Sequence, residues 1–268
     1  MHTNRKIRKT THNATSILTA IGKAHSIPVY IGASKALSRP AMHPPTDIHG
    51  ESGLDGTSLL PTPTVEAVTS PPAIDAAFAA LRAQPPGTAW LVATGAFTNA
   101  AALFIKYPSL AAHVAGVSLM GGAIGGGFTS AVLGMVDGVP RVGNWTQFAE
   151  FNILADPEAA AALFGHVILK KKITLVPLDL SHLVLATKEV QELLLYGSGG
   201  KGRRGEREDG EEGRAREGKT TLRVMLVELL LFFAKTYRYS LPPPSIHARG
   251  ETDKQKRRLR HHRWAPIA

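Results

Sequence analysis

The hydrophobic positions of this chain change period several times, and each change marks an element. From Thr10 to Ala24, Ile17, Leu18 and Ile21 recur at helical spacing among Thr, Asn and Ser, which predicts an amphipathic helix. Ile27–Ile31 is a short apolar run. The stretch from Ser38 to Gly56, rich in Pro, His and Gly, carries no period, and long aperiodic loops within a compact domain are often functional. Ala73–Ala83 is Ala-rich and helical. The chain then alternates apolar strands with helices: strands at Ala89–Ala93, Val114–Met120 and Ile173–Leu178, helices at Thr98–Ile105, Pro157–Phe164 and Thr187–Leu195. Asp156 before Pro157 supplies an N-cap and a first helical residue. Strands that are apolar throughout and alternate with helices predict an α/β fold. This is an open, mainly parallel, Rossmann-like sheet with helices on both faces. Such sheets bind ligands beyond the carboxyl ends of their strands, so the chemistry is expected after Ala93, Met120 and Leu178.

The rhythm stops at Gly197. Residues 197–219 hold Gly, Arg, Glu, Lys and Asp with almost no apolar side chain; helical patterning returns at Thr221–Arg238, and a triple proline and a basic run follow Tyr239. The expected organisation is an α/β domain over 1–196, a low-complexity charged insert over 197–220, a helix continuing the domain over 221–239, and a basic tail over 240–268. Insert and tail are expected to be disordered. The 268 residues are 44% hydrophobic and 19% charged, enough for a sizeable core. The net charge is +10, but 17 Lys and Arg against 9 Asp and Glu lie in Gly197–Ala268, so the basicity belongs to the tail. With 6% aromatics, the chain lacks the interleaved basic and aromatic surface that nucleic acid calls for. The absence of Cys excludes disulfides, thiolate metal sites and cysteine nucleophiles. No apolar run reaches the roughly 20 residues of a membrane span, and no secretory leader pattern follows Met1–Lys9. A cytoplasmic location, away from the membrane, is expected.

Four clusters could carry chemistry. Asp47–Gly56 combines acids, His49 and Ser52 in a glycine-rich loop, but Gly50-Glu51-Ser52-Gly53-Leu54 misses the serine-hydrolase elbow and follows no strand. In Gly143–Asn152, Glu150 and Asn152 lie two apart and share one side of an extended segment. With Asn144 they could accept from and donate to vicinal hydroxyls, as a sugar presents them, or could serve as helix cap and turn. Met120–Gly127 follows a strand but has no phosphate-loop register, so close backbone approach or tight packing is the better reading. Asp179 and His182 follow the last strand, where turn capping is expected.

Seven stretches occur in a particular order: Lys9-Thr10-Thr11-His12-Asn13-Ala14, Ile48–Gly53, Ala93–Asn99, Leu119–Gly122, Gly143-Asn144, Ala149–Ile153 and Asp156–Ala160. Together they resemble the inosine/uridine-preferring nucleoside hydrolase family, over Thr10 to about Leu195 and again over Thr221–Tyr237. The resemblance implies hydrolysis of the N-glycosidic bond of a ribonucleoside in nucleoside salvage, with calcium as cofactor, a ribonucleoside as partner and a homo-oligomeric assembly. Carried over by position, the backbone carbonyl of Thr94 resembles a calcium ligand. Asn144, Glu150 and Asn152 resemble the ribose-binding trio, and Met120 the residue beneath the sugar. His49 falls in a loop that closes near the base, and Asn4 where the family has an asparagine that here follows Thr3 rather than Gly. His247 corresponds to a late histidine near the leaving group.

The chain also departs from the family. The family opens on an aspartate cluster that supplies calcium carboxylates and the general base, whereas the first acidic residue here is Asp47. The late His-Asp pair reads His247-Ala248. These departures predict a product truncated at its N-terminus and divergent at its C-terminus, with weak calcium binding. The alternative function is a catalytically inactive homologue that retains at most ribose binding.

Overall fold

The computed structural model describes residues 2–40, 42, 49–136, 138–198 and 220–240. Its elements run α1 (His2–Ala20), α2 (Ala73–Arg82), β1 (Trp90–Ala93), α3 (Thr98–Lys106), α4 (Leu110–His113) and β2 (Gly116–Met120). There follow a hairpin of β3 (Met135–Val136) and β4 (Val139–Pro140), then α5 (Phe151–Ala155), α6 (Pro157–Phe164), a 3-10 turn at Leu169–Lys171, β5 (Ile173–Val176), α7 (Leu178–Ser181), α8 (Lys188–Tyr196) and α9 (Thr221–Ser240). The charged insert and basic tail lie outside the described residues, apart from their ends.

The three predicted strands are parallel neighbours in the order β1-β2-β5. Trp90 pairs with Gly116 and Ala93 with Leu119; Val117 pairs with Ile173 and Met120 with Val176. This register lines up two rows on one face, Leu91-Val117-Ile173 and Ala93-Leu119-Leu175, against Phe97, Leu103, Phe104, Leu110 and Leu163. Val117 and Leu119 are fully buried, each contributing roughly 1.5–3 kcal/mol by area. On the opposite face of β1, Trp90 and Val92 remain 53% and 63% exposed.

Some boundaries differ from the sequence expectation. Helix α1 begins well before Thr10 and ends at Ala20, because Gly22 takes φ +68° and the Lys23 amide turns back to the Leu18 carbonyl at 2.8 Å. The last strand stops at Val176, since Pro177 has no N–H for a ladder and opens α7. Ile27–Ile31 contributes one parallel bridge, Tyr30 to Val68. Glu150 is extended, but Asn152 belongs to α5, so the two are not successive residues of an extended face.

Two charged side chains tie the layers together. Lys172 Nζ donates to the carbonyls of Ala111 (3.1 Å), Ala112 (3.0 Å) and Val114 (2.7 Å), closing the C-terminal end of α4. Asp156, fully buried, accepts from Leu37 N at 2.8 Å, Thr98 Oγ1 at 2.6 Å and Ala159 N at 3.0 Å. It caps α6 and joins it to α3 and the loop at Leu37. Hydrogen bonds to a charged group contribute about 1.5–3 kcal/mol each, and removing one partner strands the others. Asp156→Ala should therefore lower the unfolding free energy by at least about 3 kcal/mol, and Thr98→Val by about 1 kcal/mol. Both are read as a shift of the urea midpoint at constant slope.

Candidate functional site

The loops that leave the carboxyl ends of β1 and β2 meet one side chain. Thr94 follows β1 and Met120 ends β2; Asn152 Nδ2 donates to the Met120 carbonyl at 3.0 Å, and lies 3.2 Å from Met120 Sδ and 3.5 Å from the Thr94 carbonyl. Two residues earlier, at the N-cap, Glu150 is 97% buried. Its Oε2 accepts from Gly122 N (2.8 Å) and Ile153 N (3.0 Å), and its Oε1 from Asn152 N (2.9 Å). The carboxylate thus caps α5 and fastens its start to the end of β2. Asn144 Oδ1 accepts from Phe151 N at 2.9 Å. Thr94, Met120, Asn144, Glu150 and Asn152 therefore form one hydrogen-bonded group at the carboxyl end of the sheet.

The turn that carries Asn144 is tightly wound. A Cβ at Gly143 would lie 2.1 Å from the Ala149 carbonyl oxygen, so only glycine fits there. Val142 N and Gly143 N both donate to Gln147 O, and Trp145 N to Ala149 O. Arg141 donates from Nε to Gly143 O at 2.6 Å and from a terminal nitrogen to Asn144 O. Nothing in the sequence pattern singled out Arg141.

The glycine loop after β2 is held by carboxylates. Asp179 is buried and accepts from Ile124 N (2.7 Å) and Gly125 N (2.8 Å), while Gly122 N is taken by Glu150. Gly125 sits at φ +69°, a conformation that suits glycine. The expected capping role of Asp179 is thus filled on a neighbouring loop. His182, partly shielded, faces Val132 O at 3.4 Å, and burial holds its pKa below the ordinary value.

His49 stands with a different set of elements. Its ring meets Phe233 of α9 edge-on at 5.5 Å, and burial lowers its pKa. The rest of its loop is fastened by Asn13 Nδ2 to Ser52 O at 2.9 Å and by Thr57 Oγ1 to Glu228 of α9 at 2.6 Å. Asp55 accepts from Glu51 N and Ser52 N, and the Ser52 hydroxyl holds its carboxyl below the usual range. Asn4 lies in α1 with its side chain outside the described residues, and Asp47 and His247 lie outside them altogether.

The group has open hydrogen-bonding capacity. A carboxylate offers about four acceptor sites, and backbone amides take three of those on Glu150. Among the described residues, Asn144 Nδ2 and Asn152 Oδ1 hold no protein partner. The orientations of both amides follow from their partners, since Phe151 N needs an oxygen and the Met120 carbonyl needs a donor.

A model of the inosine-uridine preferring nucleoside hydrolase family matches residues 1–250. A uridine nucleosidase of Saccharomyces cerevisiae is 39% identical over 229 residues, which is 85% of this chain and 57% of that protein. A probable ribonucleoside hydrolase of Dictyostelium discoideum is 34% identical over 257 residues, 92% of this chain and 65% of that protein. Among solved structures, a purine-preferring ribonucleoside hydrolase from Gardnerella vaginalis superposes with a TM-score of 0.66 at 23% identity, over 87% of this chain and 61% of its own. A plant nucleoside hydrolase superposes with a TM-score of 0.63 at 26% identity, over 87% and 60%. The chain thus spans less than two thirds of the length of these relatives.

The contact between His49 and α9 can be read directly. The His49 ring should titrate below its ordinary value near 6.5 in side-chain NMR. Because its folded pKa is depressed, its protonation as pH falls below the unfolded value should destabilise the fold. Phe233→Ala opens the contact and should move the midpoint upward.

Proposed function

The chain belongs to the inosine-uridine preferring nucleoside hydrolase family, and from that premise we propose that Asn144, Glu150 and Asn152 receive the ribose of a ribonucleoside whose N-glycosidic bond the whole protein hydrolyses to ribose and free base. The observation that carries this reading is the open capacity of the three side chains. Asn144 Nδ2 can donate, and Asn152 Oδ1 and the last site on Glu150 can accept, from a pair of vicinal hydroxyls that each offer one donor and one acceptor. Met120, which ends β2 and touches Asn152, would floor the sugar. Glycosidic cleavage passes through an oxocarbenium-like state, in which contacts to the 2-hydroxyl strengthen. These residues would bind and orient the sugar there. Nucleoside salvage in the cytoplasm is the setting we propose for this activity.

Calcium, the metal that the family resemblance implies, does not fit the described residues. The ion takes six to eight oxygen ligands, carboxylates among them. No group of three or more His, Asp or Glu that could hold a metal occurs among the described residues. Glu150 is committed to amides, and the Thr94 carbonyl faces an amide nitrogen. Among the described residues no second carboxylate joins this group to act as base, and the one open site on Glu150 is the site a hydroxyl would take. This favours a second reading for the chain as given: ribose binding with little turnover.

Calorimetry with ribose and 2-deoxyribose tests the first reading. Ribose should bind and 2-deoxyribose should bind more weakly, and Asn144→Ala should weaken ribose by about tenfold, the scale of one or two hydrogen bonds. Equal binding of the two sugars, or none, would remove the sugar reading. With inosine or uridine and millimolar calcium, a reducing-sugar assay should show turnover far below once per second and no response to a chelator. General-base catalysis alone is typically worth about 10²–10⁴-fold. Rapid turnover abolished by a chelator would overturn the second reading.

A further inference from the structure

We propose that Arg141 is a positioning residue of the sugar cleft, holding Asn144 in the one conformation that leaves its amide nitrogen open to a ribose hydroxyl. The inference deepens the ribose reading and rests on it. Nε of Arg141 donates to the Gly143 carbonyl at 2.6 Å, and a terminal guanidinium nitrogen donates to the Asn144 carbonyl. The first carbonyl belongs to the peptide plane before Asn144 and the second to the plane after it. One rigid, planar group therefore orients both planes that meet at the Asn144 Cα.

The other contacts of the turn complete the grip. The Arg141 amide donates to Gly134 O at 2.9 Å, which anchors the arginine beside the β3–β4 hairpin. From the far side, Phe151 N fixes the Asn144 side chain through Oδ1. With main chain and oxygen both held, the amide nitrogen is the part of Asn144 left to face a ligand. Among the described residues the Arg141 guanidinium forms no ion pair with a carboxylate, so its recorded donors serve backbone carbonyls. The geometry of the fork matters here. An ammonium is a point charge on a flexible stem and does not impose a fixed angle between two acceptors.

The test uses the full chain with Arg141→Met and Arg141→Lys. In the absence of sugar, the Phe151 amide should exchange its hydrogen about tenfold faster in Arg141→Met than in the parent, at unchanged global stability; this corresponds to losing one ordinary hydrogen bond. Ribose affinity should fall by a similar factor, and Arg141→Lys should recover only part of both effects. Unchanged protection of Phe151 in either variant overturns the proposal. So does a loss of protection that merely tracks a lower urea midpoint, which would mark a structural role. Should Arg141→Met fail to fold, Arg141→Lys decides alone, since it keeps the charge and loses the fork. Parent protein that binds no ribose removes the cleft reading and with it the sugar role of Arg141. The Phe151 exchange would then still report whether the arginine holds the turn.

Discussion

The Glu150 carboxylate accepts three backbone N–H groups, from Gly122, Asn152 and Ile153, inside a region almost closed to water. A buried charge of this kind is costly unless it is fully hydrogen-bonded. Satisfying it fixes three things together: the start of α5, the path of the chain leaving β2, and the position of Asn152. Asn152 then binds the Met120 carbonyl and reaches toward Thr94, so the ends of two neighbouring strands are held by the residue that the carboxylate caps. The geometry of this group at the carboxyl end of the sheet depends on that one carboxylate.

The same device recurs. Asp179 binds the amides of Ile124 and Gly125, and Asp156 binds those of Leu37 and Ala159 together with the Thr98 hydroxyl. All three acids are buried, and among the described residues each is held by hydrogen bonds from backbone amides rather than by an ion pair with Lys or Arg. Amides presented at loops and helix starts stabilise an anion. Here the protein supplies the anions itself. In the glycine loop after β2, the amides of Gly122, Ile124 and Gly125 are taken by Glu150 and Asp179.

What the sequence made legible follows from how each feature is stabilised. The three sheet strands could be read from their apolar runs, although Val117 and Leu119 are buried on one face while Trp90 and Val92, on the opposite face of β1, remain largely exposed. The Asp156 cap could be read because its residue types are local to the helix it starts. Helix α5 was hidden, since five residues carry no period and their start depends on Glu150 reaching back across 28 residues to Gly122. The early start of α1 was hidden because its first turns have no apolar stripe. Arg141 was hidden for a further reason: its partners are carbonyl oxygens, and every residue has one. Asn144, Glu150 and Asn152 were singled out by pattern as well as by resemblance, and their spacing was equally that of a cap and a turn. In the structure, Glu150 performs the cap and Asn144 shapes the turn.

That double use bears on the chemistry. The structural reading and the functional reading of these residues draw on different atoms. Glu150 spends three acceptor sites on amides and keeps one. Asn144 spends its oxygen on Phe151 and keeps its nitrogen, and Asn152 spends its nitrogen on Met120 and keeps its oxygen. Each side chain is therefore rigid because of the fold and reactive toward a ligand only through what the fold leaves over. Preorganisation of this sort lowers the entropic cost of binding, since no rotamer need be fixed when a sugar arrives. It also limits what the site can do. A carboxylate with three acceptor sites on peptide amides has room for one further donor. On the proposed ribose reading, these residues would supply sugar contacts rather than acid–base chemistry, and that division follows from where the backbone N–H groups point.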